Sequence, residues 1–144
     1  MLRKIGTLSR CIRYINDLKF EEIDLKKGQF EILTRICENQ GINQIDLSNL
    51  LKVDKSATAR SIQKLIEAGY IDRKKDDVDQ RMWRIYPKKK ALDKYEFIIE
   101  EENRNTDVCF NNFSMEEKEL ISKLIKRLSE NIENCWKEIK GIYD

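Results

Sequence analysis

Apolar residues near the start of the chain recur at helical spacing. Ile5, Leu8, Ile12 and Ile15 stand 3, 4 and 3 residues apart, which puts them on one face and predicts a helix over roughly residues 3–19. The opposite face carries Arg3, Lys4, Arg10 and Arg13. After the connection "KFEEIDLKKG", Phe30, Leu33, Ile36 and Cys37 mark the buried stripe of a second helix from about Lys27 to Glu38. "NQG" ends it, with Gly41 suited to a left-handed position. Asn43 is placed to cap a third helix with Asp46 as a capping-box partner three residues on, and Ile45, Leu47, Leu50 and Leu51 are its apolar positions. "KVD" breaks the pattern. Asp54 or Ser56 then caps a fourth helix whose stripe is Ala59, Ile62, Leu65 and Ile66 and which stops at Gly69.

The period then changes. "YIDRK" and "MWRIYP" alternate polar and apolar residues, as two short antiparallel strands do, and "DDVDQ" makes the loop between them. Two short helices joined by a tight turn and followed by a hairpin predict a winged helix-turn-helix. Beyond Pro87, Leu92, Tyr95, Ile99, Cys109, Phe110 and Phe113 suggest a long helix, polar in its middle and interrupted at "NNFS". Ser114 and Glu117 have the spacing of a capping box. In the last helix Ile121, Ile125, Leu128, Ile132, Cys135, Ile139 and Ile142 step by 4, 3, 4, 3, 4 and 3, a seam over three heptads that Leu120, Leu124 and Trp136 widen.

So wide a seam needs a cover. The first and fifth helices within one chain are one choice, a second subunit is another, and the two are compatible. The favoured reading is a dimer built from both chain ends, with Ile5, Leu8, Ile12, Ile121, Ile125, Leu128, Ile132 and Ile139 at the interface. The expected fold is mainly α with a small β-hairpin. It comprises a winged helix-turn-helix over 25–90 and a helical dimerisation region over 1–24 and 91–144.

Charge sharpens this picture. The 144 residues carry a net charge of only +2. Residues 52–90, however, hold 12 Lys and Arg against 6 Asp and Glu, whereas residues 91–144 hold 8 against 13. A basic middle on a neutral-to-acidic chain is the footprint of a phosphate-contacting module. No apolar run approaches the roughly 20 residues that cross a membrane, and charges interrupt the apolar residues of "MLRKIGTLSRCIRYIN", unlike a signal peptide. A cytoplasmic protein with its four cysteines reduced is expected. The chain has no histidine, which excludes His-ligated metal sites and Ser-His or Cys-His catalytic pairs. With no phosphate-binding glycine loop either, neither an enzyme, a metal nor a cofactor is expected.

In a helix-turn-helix the second helix enters the major groove and reads bases near its N-terminus. Within a recognition helix over 54–68, the candidates are Lys55, Ser56, Thr58, Ala59, Arg60, Ser61 and Lys64, Arg60 being the one able to hold guanine in a bidentate contact. In a wing over 72–84, Arg81 suits a narrow minor groove, and Arg73, Lys74, Lys75 and Arg84 suit phosphates. Asp79 is expected to brace Arg81, while Asp76 and Asp77 are expected at the hairpin base or pointing away from DNA. The alternative is a winged-helix interaction dimer that does not bind DNA.

"LKKGQFEILTRI" and "GINQIDLSNLLKVDKSATARSIQKLIEAGYIDRKKDDVDQR" together resemble the MarR family of bacterial and archaeal transcriptional regulators, without gaps from about Leu25 to Arg81. The most specific matches are "VDKS" at Val53–Ser56, Arg60, Leu65-x-x-x-Gly69 and Asp79-x-Arg81. The chain departs from the family where Pro87-Lys88-Lys89-Lys90-Ala91 replaces the usual Leu-Thr-x-x-Gly. The resemblance implies a homodimer on a double-stranded, near-palindromic operator, released by a small phenolic effector or by oxidation of a cysteine. It also implies an effector pocket between the dimer helices and the DNA lobe, for which Arg10, Tyr14 and Cys37 are candidates. Cys11 lies 14 residues before Leu25, out of register with the reactive cysteine of oxidant-sensing members, and reads as a small apolar residue buried in the helical interface.

Overall fold

The structure, a computed structural model, describes residues 1–142. Its helices are α1 (Leu2–Glu21), α2 (Gln29–Glu38), α3 (Gln44–Leu51), α4 (Lys55–Glu67), α5 (Lys89–Cys109) and α6 (Met115–Lys140). Its strands are β1 (Ile42–Asn43), β2 (Ile71–Lys75) and β3 (Trp83–Pro87). The chain divides into two units, residues 1–105 and 106–144.

The first unit is built on a core of Phe20, Leu25, Phe30, Leu33, Ile36, Leu47, Ile62, Leu65, Tyr70, Ile71, Ile85 and Ile98, all buried. Phe20 packs on Phe30 with ring centroids 4.7 Å apart and meets Phe97 edge-on at 6.4 Å. Tyr70 is the largest fully buried side chain. Its hydroxyl faces the backbone carbonyls of Asp24 at 3.2 Å and Ile23 at 3.4 Å, tying the start of the hairpin to the segment after α1. Burying that ring satisfies apolar area and a polar tip together.

The helix ends follow the capping pattern read from the sequence. The side-chain oxygen of Asn43 accepts from the Asp46 backbone N–H at 2.9 Å. The capping box is not closed in the usual way, since Asp46 takes its bond from the Asn43 side-chain amide at 2.6 Å. At α4 the cap is Asp54, which accepts from the backbone N–H groups of Ser56 and Ala57. Gly69 adopts φ +76°. Its N–H donates to Ile66 and that of Tyr70 to Leu65, the paired bonds of a Schellman turn. That turn swings the chain out of α4 and into β2.

Two predicted stripes are corrected. On α3, Ile45 and Leu50 are exposed and only Leu47 and Ser48 are buried, because a two-turn helix meets the core along one line. On α5 the buried residues are Ala91 and Ile98, while Leu92 is exposed and Ile99 half-buried. The contact line therefore lies one residue, about 100°, round from the one expected. The sheet also has a strand the sequence did not reveal. The order is β1-β3-β2, all antiparallel, with Ile42 opposite Ile85 and Arg73 opposite Ile85 on the other side.

In the second unit Ser114 and Glu117 form the predicted capping box at the start of α6, and Phe110 meets Phe113 edge-on at 5.5 Å. α6 buries none of its residues. Ile125, Leu128, Ile132 and Ile139 of the heptad seam are exposed and Ile121 is half-buried.

Candidate nucleic-acid interface

The turn between α3 and α4 presents α4 to solvent along one side. Ser56, Arg60 and Lys64 are exposed there at four-residue spacing, Lys55 is exposed at the helix start, and Ala59 and Ser61 are half-buried. Thr58 is different. It is fully buried, and its hydroxyl donates to the Asp54 carbonyl at 3.0 Å. The expectation that Thr58 reads bases is therefore corrected: its side chain faces the core, four residues before Ile62 on the same stripe. Asp54 already caps the first N–H groups of α4, so what this end offers outward is side chains, not bare backbone donors. Gln63 is also exposed on α4. It is not among the residues expected to read bases.

The wing is organised by an aspartate. One carboxylate oxygen of Asp76 accepts from the backbone N–H groups of Val78 and Asp79, each at 2.9 Å. The other accepts from Nε of Arg84 at 2.6 Å. The Asp76 carbonyl accepts from the Gln80 side chain, and its N–H donates to Met82 across the hairpin. The N–H of Asp79, the Arg84 guanidinium and the N–H of Val78, in that order, hold the Asp76 carboxyl down at about 2.

Two wing expectations change accordingly. Asp79 does not brace the Arg81 guanidinium. It accepts from the Arg81 backbone N–H at 3.0 Å, shaping the turn. Arg84 is not a free phosphate ligand, since it is held by Asp76 and reaches the Gly41 carbonyl at 3.3 Å, pinning the wing to the end of α2. An Asp followed by N–H groups two and three residues on is an Asx-turn signature, and "Asp76-Asp77-Val78-Asp79" carried it in the sequence. Arg73, Lys74, Lys75 and Arg81 are exposed.

A cleft of about 520 Å³ in the first unit is lined by α1, α2, α3 and α5 residues including Ile5, Ile12, Arg13, Phe30, Arg35 and Glu102, and Arg10, Tyr14 and Cys37 are not among its walls. Arg10 and Tyr14 lie exposed on α1. Cys37 is half-buried, and burial together with the neighbouring Glu38 carboxylate pushes its thiol up to about 11, far from a reactive thiolate. Cys11 is exposed in the single chain, so its expected burial in a helical interface rests on the proposed second copy. Among the described residues there is no His, Cys, Asp or Glu cluster fit for a metal, and no helix is long and apolar enough to cross a membrane.

A helix-turn-helix whose second helix runs into a basic, loop-braced hairpin defines a winged helix-turn-helix protein. A family model described as the MarR family matches residues 25–82. A solved MarR protein from Peptoclostridium difficile is 54% identical, the match covering 96% of this chain and 90% of that one with a TM-score of 0.92. YybA of Bacillus subtilis (strain 168), an uncharacterised HTH-type transcriptional regulator, is 36% identical over 97% of this chain and 93% of its own length. A MarR family transcriptional regulator from Listeria monocytogenes, solved in complex with a 26mer DNA, is 33% identical, covers 100% of this chain and 96% of that one, and has a TM-score of 0.94. The chain belongs to the MarR family of transcriptional regulators.

Proposed function

We propose that the chain is a homodimeric, sequence-specific DNA-binding repressor. It reads a near-palindromic operator with α4 in the major groove and the wing in the minor groove. The observation that carries this is the outward row Ser56, Arg60 and Lys64 on a capped α4, with Lys55 exposed at the helix start, together with the exposed cations of the wing. The DNA complex of the Listeria relative supports it. The exposed seam of α6 and the exposed Ile5 and Leu8 of α1 support a second copy as the missing cover, since apolar faces of this extent are seldom left in water. Two half-sites then lie about one helical turn, roughly 34–36 Å, apart.

Release by a small ligand belongs to the same reading, with the cleft beside Phe30 and Arg13 in place of Arg10, Tyr14 and Cys37. The test is selection of duplexes from a random pool, followed by gel-shift titration. The recovered site should be an inverted repeat. Arg60→Ala should weaken binding about tenfold or more and relax preference at one base pair. Arg81→Ala should weaken binding with smaller loss of preference. A pool that yields no enriched sequence overturns the assignment.

A further inference from the structure

We propose that Trp83 is a positioning residue for DNA, gathering Arg73 and Lys75 into a paired phosphate contact at the wing; this rests on the DNA-binding reading above. The hairpin register places Lys75 directly opposite Trp83 and Arg73 opposite Ile85. Arg73, Lys75, Trp83 and Ile85 therefore share one face of the sheet, with Arg73 diagonal to the indole. The Arg73 guanidinium carbon lies 4.9 Å from the Trp83 ring centroid and the Lys75 ammonium nitrogen 5.7 Å, both within cation–π range.

Neither cation forms an ion pair among the described residues. Two like charges on one ring repel each other, and the ring quadrupole offsets that only in part. An anion reaching both relieves it, and the anion a wing meets is a backbone phosphate. Trp83 remains 41% exposed, more than packing against the core requires. Trp83 also lines a cleft of about 300 Å³ with Arg81, Asp79, Gln44 and Ile45, so the ring that the two cations approach also borders the residue expected in the minor groove. The sequence alone marks Trp83 only as a strand residue. The cross-strand register is what gives it two cations to hold.

The experiment is a double-mutant cycle read by fluorescence anisotropy at several salt concentrations. It uses the full chain and a labelled duplex recovered by the wild type from a random pool. Trp83→Leu should weaken binding about 3- to 10-fold and make the slope of log affinity against log salt shallower by about 1, with thermal unfolding near wild type. Trp83→Phe, which keeps a ring face, should recover most of the loss. In an Arg73→Ala/Lys75→Ala background, Trp83→Leu should cost little more, because the residue acts through those cations. Wild-type affinity and slope in Trp83→Leu, or the same loss with and without the two cations, overturns the inference while leaving DNA binding intact. A wild-type chain that binds no duplex at low salt overturns the DNA-binding reading and this inference with it.

Discussion

A carboxylate beside DNA lowers affinity unless its charge is already engaged, and Asp76 is engaged on both oxygens. Simple charge counting predicts that Asp76→Asn tightens DNA binding by removing a negative group. The geometry predicts the opposite. Without the ionic bond to Arg84 the wing loses its pin, and affinity should fall about 3- to 10-fold in an anisotropy titration at a temperature where the variant is folded, alongside a modest loss of thermal stability. Tighter binding by the variant would show that Asp76 is no brace. The sign of the pH dependence follows from the same bonds. The Asp76 carboxyl titrates at about 2 against an ordinary 3.8, so folding favours its charged form. The contribution is whole above about pH 4 and is lost as pH falls from about 4 towards about 2. NMR shifts of the Val78 and Asp79 amides, followed down that range, should move with an apparent pKa near the lower value. At the other end of the hairpin, Tyr70→Phe removes the hydroxyl that faces Asp24 and Ile23. Urea unfolding should register a loss of about 1 kcal/mol.

Elements were legible where one local rule decided them. The helical period of α1, α2 and α4, the caps at Asn43 and Ser114 and the left-handed stop at Gly69 each depend on neighbours within a few residues. What escaped in the sheet depends on distant partners. β1 is two residues long and exists because Ile42 and Asn43 pair with Ile85 and Arg84, 43 and 41 positions away. Thr58 looks like a surface hydroxyl in the sequence. Its burial follows the helical spacing to Ile62 and Leu65, four and seven residues on, which a polar hydroxyl at the head of the stripe disguises. Asp76 carries a local signature, the Asx turn to Val78 and Asp79, which its charge alone does not reveal. Gly69 gives a clean check of the local kind. A Cβ there meets nothing within 4 Å, yet φ is +76°, so Gly69→Ala should lose about 1 kcal/mol from backbone strain alone. A loss several times larger in denaturant unfolding would mean that packing, not conformation, selects glycine at the exit from α4.

At the scale of the molecule, the proposed two-lobed reading of an operator rests on α6. It buries none of its residues within the chain, and Leu128 and Ile132 stand 39% and 67% exposed. Replacing both with aspartate should therefore leave the lobe around Phe30 and Tyr70 folded while putting four charges, two from each copy, into the proposed seam, where burial without partners is prohibitive. Sedimentation equilibrium should then report a monomer in place of a dimer, and circular dichroism should keep the helical signal. The DNA consequence is arithmetic. Each lobe brings its own phosphate contacts, and log affinity falls with log salt in proportion to their number. A monomer should thus show about half the wild-type salt slope, besides losing the gain that linking two half-site readers confers. A variant that is monomeric yet keeps the full slope would mean that one lobe carries every phosphate contact. A variant that stays dimeric would place the interface away from the α6 seam.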